Sequence, residues 1–152
     1  MSANTSPVFG RTSDVQLAGA VLGPNAQTGT VPSQGIDANT VSIYQADPIE
    51  GSFVSHVRLK PVGAPAATVI RLYLCNVTGA FTAGTSNTLV TTSLITEFGT
   101  SAVIASAIAP NSELTIPINY PIPAGYRLLM GFGTSTGAAG TGYQVTTFAM
   151  KY

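Results

Sequence analysis

The sequence predicts an all-β domain, an antiparallel sandwich of about eight strands, on three observations. Apolar residues alternate with polar ones at a period of two through most of the chain after Asn39. Turn signals built on Gly, Pro, Asn and Asp recur every 8 to 15 residues. No stretch keeps a 3.6-residue apolar period over the dozen residues that a helix needs, because Gly or Pro interrupts every candidate. The jelly roll is one strand order compatible with this pattern, and periodicity does not choose among Greek-key orders.

Residues 1–38 are rich in Gly, Pro, Asn, Gln, Ser and Thr, with one apolar cluster at 15–22. They read as an extended N-terminal arm holding one short strand or turn, and 39–152 as the sandwich domain. Such an arm can lie on its own sandwich or across a neighbouring subunit. It contributes few core residues, so its removal is expected to leave the sandwich folded.

The first strand is 40–45, closed by Asp47-Pro48 and Glu50-Gly51. In 52–62, Phe53, Val57 and Leu59 face one side and His56, Arg58 and Lys60 the other, with Pro61 at the end. In 67–77, Ile70, Leu72 and Leu74 point inward and Arg71 and Tyr73 outward. The two runs are joined by Gly63-Ala64-Pro65-Ala66 and read as a hairpin, which would gather Arg58, Lys60 and Arg71 on one outer face.

Segments 88–98 and 102–108 read as two further strands around Gly99-Thr100-Ser101. Segment 113–120 carries Leu114, Ile116 and Ile118 on one side, and Pro117 and Pro121 mark it as an edge strand or one that ends early. The turn Pro123-Ala124-Gly125 leads into 126–134, and the last strand is 142–152.

Composition narrows the function. Charged residues make up 8% of the chain, against about 25% in an ordinary soluble protein, with six basic and six acidic side chains and no net charge. A neutral hydroxyl and amide surface suits packing against other protein. Six scattered cations make no basic patch, so nucleic acid is not an expected partner. No run reaches the length of a membrane span, and residues 1–7 have neither a basic nor an apolar leader region, so membrane anchoring and classical secretion are not expected.

No residues assemble into recognisable catalytic chemistry, and no enzyme activity, cofactor or metal site is expected. His56 is the single histidine, and the carboxylates Asp14, Asp37, Asp47, Glu50, Glu97 and Glu113 fall at no motif spacing. Asp47 and Glu50 could share a calcium ion, although turn chemistry accounts for them. Gly133-Thr134-Ser135-Thr136-Gly137 matches a nucleophile elbow in letters but lacks a following helix. Cys75, the sole cysteine, sits in an apolar run and reads as a small buried hydrophobe. The six tyrosines could form a sugar-stacking platform, or serve as core and rim residues of a sandwich.

The start Met1-Ser2-Ala3-Asn4-Thr5, the run 54–62 continuing into 69–75, the turn Pro123-Ala124-Gly125-Tyr126 and the ending Tyr143-Gln144-Val145-Thr146-Thr147-Phe148 resemble small all-β virion proteins of tailed bacteriophages that cement or decorate the capsid. The resemblance covers most of the chain after Asn39. It implies a homo-oligomer, a trimer, on the capsid exterior, whose partner is the major capsid protein and which stabilises junctions between its subunits. The alternative is a carbohydrate- or receptor-binding sandwich of a phage tail fibre. The candidate interface residues, taken from the arm and from the outward positions of the strands, are Phe9, Arg11, Val15, Leu17, Arg58, Lys60, Arg71 and Tyr73.

Overall fold

The computed structural model describes residues 10–22, 40–63, 65–66, 68–75, 94–103, 113–133, 135 and 141–152, with only the backbone path described for 19–22 and 94–103. Eight strands run through them: β1 (Thr12–Leu22), β2 (Val41–Gln45), β3 (Ser52–Val62), β4 (Thr68–Cys75), β5 (Leu94–Val103), β6 (Leu114–Ile122), β7 (Arg127–Phe132) and β8 (Gly142–Lys151). No helix occurs among the described residues.

All pairings are antiparallel. Sheet I has the order β1-β8-β3-β6 and sheet II the order β2-β7-β4-β5. Every strand except β4 is followed by one in the other sheet, and this double Greek key is the jelly-roll order. The all-β sandwich read from the sequence is therefore the fold observed.

The core fills the space between the sheets. Val54, Val57 and Leu59 of β3 and Tyr143, Val145 and Ala149 of β8 meet Ile70, Leu72 and Leu74 of β4 and Leu128, Met130 and Phe132 of β7. The rings of Phe132 and Tyr143 stack across the sandwich with centroids 5.8 Å apart. The buried Thr147 hydroxyl donates to the Ile43 carbonyl at 3.0 Å, so a polar bond also ties β8 to β2.

Three sequence expectations change. Among the described residues seven strands follow Asn39, where about eight are expected, and an eighth is β1 in the segment read as arm. The two runs expected around Gly99-Thr100-Ser101 are one strand there, β5, which passes through those residues; residues 88–93 and 104–108 lie outside the described ones.

The second change concerns β3 and β4, which are not a hairpin. β3 is flanked by β8 and β6, and β4 by β7 and β5, so the connection crosses between the sheets. Pro61 near the end of β3 and Gly63 at φ 68° turn the chain off sheet I. Arg71 consequently lies in the opposite sheet from Arg58 and Lys60, and the expected cluster of three cations does not form.

Tyr73 is the third: it lies on the face of β4 away from the inter-sheet core, as its alternation predicts, but it is fully buried there. β4 is an interior strand, and its neighbours Cys75 and Leu129 are also fully buried without belonging to the inter-sheet core. Cys75 is the small buried hydrophobe that its apolar run predicts.

Candidate interaction face

The outer face of sheet I is ordered by strand register. Residues opposite one another across neighbouring strands share a face, which arranges the side chains in three transverse rows. The first is Ser13, Met150, Phe53 and Pro121; the second is Val15, Phe148, His56 and Pro117; the third is Leu17, Thr146, Arg58 and Thr115. Gln144 and Lys60 continue the face beyond the third row.

The centre of this face is apolar. Leu17 is 74% exposed, Val15 52% and Met150 39%. Phe148 is half-buried because the His56 ring stacks on it at 4.5 Å and 13°. The Arg58 guanidinium lies 5.9 Å from the Phe148 ring centroid, a distance suited to cation–π attraction. Arg58 also pairs with Glu113, which neutralises its charge on the face. The Ser55 hydroxyl lies 3.0 Å from His56 Nδ1.

A local irregularity aims these side chains. Between Val54 and His56 the register of β3 shifts against both neighbours, and Asn119 of β6 takes a positive φ of 49° at the same level. Such a bulge places an extra residue on one strand and re-aims the side chains beyond it. It lets both Phe53 and His56 appear on the outer face although they are three residues apart.

The edge strand β1 is tied to sheet II by side chains. The Gln16 amide accepts from Gln45 N–H and donates to Gln45 C=O, both at 2.9 Å. The Tyr44 hydroxyl donates to Asp14 Oδ2 at 2.9 Å. Burial raises the pKa of that hydroxyl far above its usual range; a hydrogen bond with Ser52 opposes the shift, and the Asp14 hydrogen bond and the Asp14 and Asp47 charges add to it.

Of the sequence-predicted residues, Val15, Leu17, Arg58 and Lys60 share this face, and Arg11 lies at its end, where it pairs with Glu50 and donates to the Tyr152 carbonyl at 3.0 Å. Arg71 and Tyr73 are in the other sheet, and Phe9 lies outside the described residues. Phe148, His56 and Met150 are not among them, because they join Val15 only once β8 is placed between β1 and β3, and Phe53, expected inward with Val57 and Leu59, is instead on the outer face because of the register shift in β3.

Other sequence candidates resolve into structure. Asp47 Oδ1 accepts the Ile49 and Glu50 N–H groups at 2.9 Å each, an Asx turn, and Glu50 turns to Arg11. No cluster of metal-ligating side chains occurs among the described residues. Tyr44, Tyr73 and Tyr143 are buried, so they offer no stacking surface. Ser135 is exposed beyond β7, with residues 136–140 outside the described ones.

No family model and no curated protein sequence matches this chain. Among solved structures, it is similar to a chain in "Structure of infectious bursal disease virus Gt strain", at a TM-score of 0.34 and 14% identity over 90% of this chain. The match spans 30% of that chain's length.

Proposed function

We propose that this chain is a capsid decoration protein, a virion component that binds the outside of a shell and strengthens junctions between major capsid subunits. The observation that carries the reading is the outer face of sheet I, where Val15, Leu17, Met150 and Phe148 form an apolar surface whose one central cation is already paired. Contiguous exposed apolar surface on a charge-poor protein marks an interaction site.

The chemistry of such a role is burial. Apolar area removed from water contributes about 25 cal/mol per Å², and stable protein interfaces bury about 1,600 Å² in total. The face has little charge to desolvate, so little opposes that gain. The jelly roll is at home in this role, as it recurs in capsid and lectin domains alike. The glycan-binding alternative loses three of the six tyrosines on which a stacking platform would draw.

The test is co-sedimentation with capsid shells assembled without this protein. The wild type is expected in the pellet, saturating at a fixed ratio to the major capsid protein, and a Met150→Asp/Phe148→Ser variant in the supernatant. A wild type that stays in solution at every ratio overturns the reading.

A further inference from the structure

We propose that β1 is the pairing edge of a two-fold dimer, in which β1 of one copy adds antiparallel to β1 of a second and joins two four-stranded sheets into one of eight. The inference concerns how two copies meet and does not depend on what the assembly binds.

The described strand edges differ sharply. β6, at the other end of sheet I, carries Pro117 and Pro121, which have no N–H to offer, and Asn119 at positive φ breaks its line. In sheet II, the Gln45 N–H and C=O of β2 are occupied by Gln16. β5 is offset from β4 by two register shifts, a device that twists an edge away from partners. β1 is less protected: its one register shift lies between Ala18 and Leu22, beyond the segment 12–18 that pairs in continuous register with β8. It is eleven residues long, contains no Pro, Lys or Arg, has β8 on one side, and has no strand on the other among the described residues. An open edge with exposed apolar side chains is a template for another strand.

Its own sequence fits that template. With Gln16 at the centre of an antiparallel pair, Val15 of each copy lies opposite Leu17 of the other, and Asp14 lies opposite Ala18. No like charges meet, and the one carboxylate of the strand is already hydrogen-bonded to Tyr44 and Gln16. The Val15–Leu17 pairs bring together the two most exposed large apolar side chains of sheet I among the described residues, and cross-strand apolar pairs are the unit of sheet stabilisation. A chain with zero net charge adds no long-range repulsion between copies. The contact is isologous and closes after two copies, where the resemblance to decoration proteins implies three.

Light scattering on the full chain tests this. The expected mass is twice 15.5 kDa, falling by half in Val15→Lys/Leu17→Lys while the far-UV circular dichroism stays that of a β protein. If that variant misfolds, oxidation of a mixture of Val15→Cys and Leu17→Cys proteins decides, because only the mixture brings two thiols directly opposite within disulfide reach. A cross-linked dimer in the mixture but not in either protein alone is the expected result. A wild-type monomer or trimer, a dimer untouched by the lysines, cross-linking in Val15→Cys alone, or enlargement only with another protein present overturns the pairing. None of these outcomes depends on capsid binding.

Discussion

Gly51 stands where β2 turns into β3, at φ 80°, and a Cβ on it would come within 2.7 Å of the Ile122 carbonyl oxygen. Both the backbone conformation and the close approach require glycine. Gly51→Ala is expected to destabilise the fold by about 1–3 kcal/mol, read as a lower urea midpoint. Tyr143 poses the opposite case. Its ring is needed between the sheets, but its buried hydroxyl has no hydrogen-bond partner among the described residues. Tyr143→Phe keeps the ring and removes that penalty, so stability should rise by about 1 kcal/mol, read as a higher urea midpoint. Asp47 sets a pH dependence. The Glu50 and Ile49 N–H groups hold its pKa below the ordinary 3.8, so its contribution to stability is complete above that value and is lost as the pH falls through the lower folded value. Urea midpoints measured down a pH series should drop more steeply for the wild type than for Asp47→Asn in that acid window.

At the scale of elements, the Gln16 side chain does for β2 what a neighbouring strand would do, satisfying one N–H and one C=O of Gln45. Gln16→Ala leaves both groups without that partner and is expected to cost about 1–3 kcal/mol, with faster hydrogen exchange at the Gln45 amide. The same elements show what the sequence conveys. The strict alternation from His56 to Lys60 marks β3, and Pro117 with Pro121 marks β6 as an edge. Alternation tells which side chains share a face of one strand, but not which strand lies alongside. β3 and β4 look like a hairpin because the link between them is short, yet each already has two other neighbours. β1 is hard to read because its Ala and Gly residues have weak β preference. Its stability as a strand comes from β8 and from Gln16 and Asp14 reaching β2. The interaction face was legible in part for the same reason: Val15 and Leu17 stand out as exposed apolar residues, but Phe148 and Met150 join them only through long-range register.

For the whole molecule, the inter-sheet core draws its buried side chains, among the described residues, from Ile43 onward, with Ala18 of β1 packed against it. Deleting residues 1–35 should therefore leave a cooperatively unfolding β protein of reduced stability that no longer self-associates. Circular dichroism and light scattering check the two halves of that expectation, and a truncated protein that still pairs would assign self-association to another surface. The strand order also has a kinetic consequence. β8, last in sequence, is the strand that lies between β1 and β3, so during synthesis more than a hundred residues emerge before sheet I can close. Until then both flanks of that gap present unpaired backbone, which is the condition under which nascent β proteins aggregate or recruit chaperones. Ribosome-bound chains ending before Gly142 should consequently stay protease-sensitive throughout sheet I, and resistance should appear in a single step once β8 has left the exit tunnel.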